Sequence, residues 1–432
     1  MKYLSLILFL LLVSRPIFAQ SVEKIIEQSD VERIIKQLSS DEMRGRSAMK
    51  PEDIGKSTAF IENEFKAIGL KNLSNLRSFR QEFEKTKIDK IGSEVIIDGE
   101  KILTDNFIFL SNIEQMSWQS DVPVKVLEKG KNFFQEFRIF MNDSTSKIVF
   151  VSADYGKQFH RVQELYNKTR LLNDNNEKIG NTLFVLGKST ANKFSVNITQ
   201  KKSRFIMTNV VGVLEGKSKK NEMVIFSGHY DHLGILTAVK GDSIANGADD
   251  DASGTTAVIE LAKYFKKINN NERTLVFAAF TAEEIGGFGS QYFSKQLNPD
   301  KVVAMFNIEM IGKPSKWGEK SAFITGYERS DFGAILQKNL KGTTFEFHPD
   351  PYLEQNLFYR SDNATLARLG VPAHSISTDK IDSDELYHTV KDEFLSLNMS
   401  NITTTIRAIA LSAKTIIDGK DTPTRIDKTT LK

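Results

Sequence analysis

No cysteine occurs anywhere in the chain. That excludes a disulfide framework, a thiolate metal ligand and a lipid-bearing cysteine near the amino terminus. Any metal site must therefore be built from His, Asp and Glu, a donor set that suits zinc or another divalent ion of similar hardness. An excess of either charge is also lacking: 58 Lys and Arg face 55 Asp and Glu, and the formal net charge is +3 over 432 residues. Nothing in that balance argues for nucleic acid or an anionic membrane as partner. No internal repeat is visible. Beyond the first residues, no apolar run approaches transmembrane length.

The first residues are the exception. Lys2 is followed by an apolar run from Leu4 to Val13, then Ser14, Arg15, Pro16 and Ala19. A short basic start, an apolar middle too short to span a bilayer comfortably and a small residue at the end form the pattern of a signal peptide. The expectation is residues 1–19 as signal, cleavage after Ala19, and export to the periplasm or the extracellular space with no membrane span remaining.

The next residues read as helical. Ile25, Ile26, Ile34, Ile35 and Leu38 share a helix face. LSSDEMRGRSA is a polar turn, Pro51 opens a second helix and Gly69 closes it. From about Arg80 to Arg204 the texture becomes strand-like, with Glu94–Ile97, an Asp98-Gly99 turn, Val122–Leu127, Lys147–Val151, Thr182–Leu186 and Phe194–Gln200. This stretch has no cluster of carboxylates and histidines. It is expected to be a β-rich insertion over residues 80–204, between an N-terminal helical part (20–79) and the catalytic part (205–418), with a polar, frayed tail (419–432).

From Ile206 onward, strands alternate with helices. The strands are Asn209–Leu214, Met223–Phe226, Thr274–Phe280, Val302–Asn307, Ala322–Thr325 and Ala373–Ser377. This pattern predicts an α/β fold: a mostly parallel central sheet flanked by helices on both faces. Such sheets carry their sites at the carboxyl ends of the strands. The suspicious residues fall there. His229 and Asp231 end one strand, Glu283 and Glu284 follow another, Glu309 follows a third, and His388 lies in the loop before the last helix. Asp249, Asp250 and Asp251 run consecutively just before a helix, and clustered carboxylates repel unless a cation sits among them.

Alone, each motif is weak. In an extended segment His229 and Asp231 point the same way, so Asp231 can hold one ring nitrogen while the other binds metal. Adjacent Glu283 and Glu284 can divide labour between proton transfer and metal binding. Counted together, three carboxylates and one hydroxide balance two divalent cations. Asp250, Glu284 and Glu309 supply the carboxylates, His229 and His388 serve as neutral ligands, and Glu283 is left as base.

The blocks GHYDHLG, NGADDDASGTTAVIELA, FAAFTAEEIGGFGS, FNIEMIG and ELYHTV, in that order, resemble the secreted co-catalytic zinc aminopeptidases of bacterial leucyl type. LSSDEMRGR resembles their entry segment, and the middle stretch is not covered. The resemblance implies the zinc aminopeptidase (phosphorylase/hydrolase-like) fold, two Zn2+ ions per chain and peptide or protein N-termini as substrate. It implies His229 and Glu309 on one zinc, Glu284 and His388 on the other, Asp250 bridging, Asp231 orienting His229, and Glu283 as general base. It also implies a cis peptide at Asp250-Asp251, and substrate contacts from Tyr387 and Arg360. Glu309 departs from the Asp usual in the family, and the same ligand head on one more methylene is expected to serve. His160, His232, His348 and His374 are assigned to hydrogen-bonded loop or core positions. The alternatives are a single-zinc glutaminyl cyclase of the same fold and a non-catalytic binding protein.

Overall fold

The computed structural model describes residues 22–166, 169–172 and 180–431. The expected signal peptide lies outside the described residues. Among the described residues no helix is long and apolar enough to cross a membrane.

The chain forms two compact units, one of residues 1–81 with 208–432 and the other of residues 82–207. The first holds a mixed sheet in the order Glu346–Pro349, Ser321–Ile324, Ala373–Ser377, Val302–Ile308, Lys219–His229, Arg273–Phe280 and the end of Phe194–Leu214. The middle of the sheet is parallel, with Lys219–His229 between Arg273–Phe280 and Val302–Ile308. Antiparallel pairings flank it on either side. The edge strand Glu346–Pro349 has too few apolar residues to be read from sequence.

Strand residues alternate between the two faces because side chains have a period of two. Val224, Phe226, Leu275, Phe277, Ala304 and Phe306 enter one core. They pack there with residues of the helices Gln28–Leu38, Pro51–Ile68, Gly254–Ile268, Phe332–Asn339 and Met399–Ser412. Ile225, Val276, Ala278 and Met305 enter the other core, with Phe293, Leu366 and Ala367 from two shorter helices. Both faces are thus covered, which is why these strands read as continuous apolar runs. The Pro51–Ile68 helix ends as its sequence predicts, on Gly69 in left-handed backbone (φ 78°).

The tail departs from expectation. Ile426 is buried in the second core, and its N–H donates to the Gly370 carbonyl at 3.1 Å. The buried Arg273 guanidinium donates to the carbonyls of Ile416 (2.6 Å) and Asp421 (2.7 Å). A buried cation needs such acceptors, so residues after 418 are held in place rather than frayed.

The second unit carries a four-stranded sheet of Phe107–Leu110, Thr182–Leu186, Lys147–Val151 and Val124–Leu127. It also holds two helices, Phe133–Asn142 and Gly156–Tyr166. Strand signals alone missed them, although Phe133 and Phe137 stand at helical spacing and are both buried against Phe184 in one cluster. The boundary between the units falls inside two strands, Arg80–Ile97 and Phe194–Leu214.

Candidate metal centre and active site

The strand Lys219–His229 ends on His229, a fully buried imidazole. Its Nε2 lies 3.2 Å from Asp250 Oδ1 and 3.2 Å from Glu309 Oε1. On the far side of the Asp250 carboxylate, Oδ2 lies 3.2 Å from His388 Nε2, which is also 3.1 Å from Glu284 Oε2. Ligand atoms bound about 2.0–2.1 Å from a tetrahedral zinc stand about 3.3 Å apart. The residues therefore fit two adjoining zinc positions that share Asp250.

The backbone around the site explains how three acids can be consecutive. The Asp250-Asp251 peptide is cis, as the resemblance implied. Only Asp250 faces the cavity of the site. The Asp251 carboxylate turns inward and accepts the N–H groups of His229 (3.1 Å), Gly254 (3.0 Å) and Met310 (3.1 Å). Asp249 accepts from the Gly312 N–H at 2.7 Å. Gly254 has to be glycine, since a Cβ there would stand 2.2 Å from the Ile308 carbonyl and 2.4 Å from the Asp251 carboxylate. Asp392 accepts the N–H groups of Asp249 (2.9 Å) and Asp250 (3.0 Å). Arg46, wholly buried, donates to the carbonyls of Tyr230 (2.8 Å), Leu38 (2.7 Å) and Gly247 (2.8 Å). Left-handed backbone recurs beside the ligands, at Ala282 (φ 62°), Met310 (φ 48°) and His388 (φ 57°). Non-glycine residues adopt it sparingly, and it collects at functional sites.

Asp231 is placed differently from the spacing argument. The His229 Nδ1 contact is to the main-chain carbonyl of Asp231 at 3.1 Å, while the carboxylate stands 3.7 Å away. That carboxylate instead accepts the Glu283 N–H at 3.1 Å. A residue two positions along a strand tip offers both its carbonyl and its side chain, and here the carbonyl is nearer. His232 was assigned to a loop or core hydrogen bond. It is buried, and its Nδ1 lies 2.7 Å from Glu284 Oε1 and 3.9 Å from Asp250 Oδ2. The 2.7 Å contact has the length of a hydrogen bond rather than of two atoms on one zinc, so His232 braces Glu284 from behind. His374 has the core position assigned to it, whereas His348 is half-buried on the edge strand Glu346–Pro349. His374 is buried, 2.8 Å from the Thr325 carbonyl, and burial lowers its pKa to about 4. His348 stacks on Trp317 at 4.0 Å. His160, in the other unit, sits edge-on to Phe159 at 6.0 Å.

Each histidine of the cluster is held between burial and neighbouring carboxylates. Burial opposes protonation of His388, yet the Asp250 and Glu284 carboxylates raise its pKa to about 10. Burial likewise opposes protonation of His229, and Glu309, Asp231 and Asp250 still push its pKa well above the usual value. Burial chiefly, with Glu309, Asp362 and Glu284 adding to it, pushes the Glu283 carboxyl well up.

A cavity of about 260 Å³ opens onto this centre, lined in part by Asp250, Glu283, Glu284, Glu309, Arg360, Tyr387 and His388. The Tyr387 ring stacks on His388 at 3.8 Å. All seven predicted site residues other than His229 and Asp231 therefore share one space, and those two lie directly behind it. Sequence reasoning missed Arg46, Asp392 and Ser361, whose Oγ donates to Glu309 Oε2 at 2.5 Å. The YRSDNA segment was singled out only for its arginine.

Residues 209–413 match the model of peptidase family M28. The matched stretch contains every candidate ligand. Among curated proteins, a probable zinc metalloprotease of Pyrenophora teres f. teres is 32% identical over 120 residues, 27% of this chain and 24% of that protein. Leucine aminopeptidase 1 of Aspergillus niger is 25% identical over 230 residues, 50% of this chain and 57% of that one. The chain thus spans between a quarter and somewhat over half the length of these curated relatives. Among solved structures, an aminopeptidase from Aneurinibacillus sp. strain AM-1 superposes with TM-score 0.58 at 17% identity, covering 91% of this chain and 95% of the other. BSAP, a zinc aminopeptidase from Bacillus subtilis, gives TM-score 0.56 at 17% identity over 94% and 97%. At that identity the likeness shows the fold alone.

Proposed function

We propose that the chain is an exported, zinc-dependent aminopeptidase that holds two zinc ions and hydrolyses N-terminal peptide bonds. The observation that carries this reading is the Asp250 carboxylate, with one oxygen 3.2 Å from His229 Nε2 and the other 3.2 Å from His388 Nε2. His229, Asp250 and Glu309 would hold one ion, and Asp250, Glu284 and His388 the other. Bound zinc supplies polarisation of a carbonyl and a lowered pKa for water.

The chain's own residues do the rest. Glu283 takes a proton from the attacking water, whose oxygen bonds to the scissile carbonyl carbon. As the C–N bond breaks, the same carboxyl gives that proton to the leaving amine. Asp231 positions Glu283 through its main-chain N–H. Burial, with Asp250 and Glu284 nearby, raises the Tyr387 pKa, so its hydroxyl stays protonated and can donate to the developing oxyanion. Arg360 lines the same cavity. An acid-rich pocket suits a free amino terminus. Export rests on the leader pattern of residues 1–19.

The test is Glu283→Gln. It should keep two zinc ions per chain by elemental analysis and lose roughly 10²- to 10⁴-fold in kcat on a leucine arylamide, the usual worth of a general base. Unchanged turnover would remove Glu283 from the mechanism. A wild type with a single zinc that cyclises N-terminal glutamine would move the reading to a cyclase.

A further inference from the structure

The cavity that reaches the metal centre also reaches a second group of acids. Asp249, Asp379 and Asp384 bring carboxylate oxygens within 4.8 Å of one another. One ammonium group serves them: Lys313 Nζ lies 2.5 Å from Asp384 Oδ2 and 3.3 Å from Asp249 Oδ2. Among the described residues no ion pair reaches Asp379. Its side chain is 3% exposed, neither of its oxygens accepts a hydrogen bond, and it lines the cavity. A buried carboxylate without a donor is costly, and one lysine cannot balance three acids. Burial, together with the charges of Asp249 and Asp384 and a hydrogen bond shared with Asp384, holds the Asp379 carboxyl up at about 8, and a cation beside it would favour its ionised form.

The rest of the wall says which cation fits. Phe323, Leu357, Ile381 and Met310 line the same cavity. They give the cavity apolar surface, and a long basic side chain packs its stem on such surface while its charged end seeks a polar partner. Arg360, the exposed cation of the lining, disfavours a second positive charge near itself, so recognition falls to the buried acid. We infer that Asp379 is a specificity residue and that the pocket takes substrates whose first residue has a cationic side chain, lysine or arginine. This inference rests on the aminopeptidase reading above.

The experiment compares kcat/KM for lysine and norleucine arylamides on the zinc-loaded enzyme. Norleucine is lysine without its ammonium group. Wild type should favour lysine by roughly 30-fold or more, the lower end of what an unpaired buried charge forfeits. In Asp379→Asn that ratio should collapse toward one. The ratio cancels any general loss of folding or metal, and the wild-type value needs no variant. A wild-type ratio near or below one, or one that survives in Asp379→Asn, overturns the inference and leaves Asp379 as a partner of Asp384 only. So does a third metal ion per chain that is lost in Asp379→Asn, since the acids would then hold a metal. If neither arylamide is cleaved, the aminopeptidase reading fails and this one falls with it.

Discussion

The two donor groups that meet at Asp250 are built as opposites. On the first, the histidine is hidden and the outer acid is open: the His229 side chain is 1% exposed and that of Glu309 19%. On the second, the acid is hidden and the histidine is open, with Glu284 at 5% and His388 at 38%. Each hidden ligand is braced from within, His229 by the Asp231 carbonyl and Glu284 by His232 Nδ1. Each open ligand lines the cavity. Glu309 is held there by a hydrogen bond from Ser361. His388 is held by ring stacking on Tyr387, on a loop residue in left-handed backbone. A hydrogen bond fixes direction, whereas a stacked ring can slide. The second half is therefore the looser one.

Substituting its open ligand gives the largest effect on that comparison. His388→Ala should leave one zinc per chain by elemental analysis and abolish most turnover, with the first ion retained. If His388→Ala keeps two ions and His232→Ala keeps one, the two histidines exchange roles. On the first half, Ser361→Ala should weaken one zinc by about 10- to 100-fold in competition with a chelator, as loss of a ligand's outer partner does. An unchanged affinity would show that the extra methylene of Glu309 positions itself without help.

The smallest effect concerns the metal-free protein. The His388 pKa is raised from 6.5 to about 10 in the folded state. Its contribution to stability is therefore complete below about 6.5 and is lost as pH rises through 10. The raised carboxyl of Glu283 works in the same direction, since ionising it disfavours the fold. The Tm of the metal-free protein should fall by a few degrees between pH 7 and 10. The zinc-loaded protein should fall by less, and equal slopes would mean that the ions do not replace protons at these residues.

Much of the centre was legible because its donors sit at strand tips. LVFAAF followed by Glu283 and Glu284, or FNI followed by Glu309, can be read from an apolar run and the acid that ends it. The three consecutive aspartates were read as marking a cation site with Asp250 as the ligand, and the parts played by Asp249 and Asp251 were not legible. Asp249 and Asp251 face main-chain N–H groups contributed by distant loops, which no local pattern reveals. His232 was read as a hydrogen-bonded loop or core histidine, and it is buried and hydrogen-bonded; nothing in GHYDHLG says that its partner is Glu284. Arg46 sat in a segment read as a polar turn, yet it is wholly buried among carbonyls. The tail looked polar, and the buried Ile426 together with the acceptors it brings to Arg273 decided otherwise.

The order of residues alone determined the donor types, the covered sheet and the strand ends that carry the acids. Side-chain periodicity and the absence of cysteine are local facts, and they suffice for that much. Tertiary structure decided which oxygen each histidine faces, that His232 reaches Glu284, and which acid lies in the pocket without an ion pair. Those depend on distances between segments far apart in the chain, and buried charge makes differences of an ångström or two decisive.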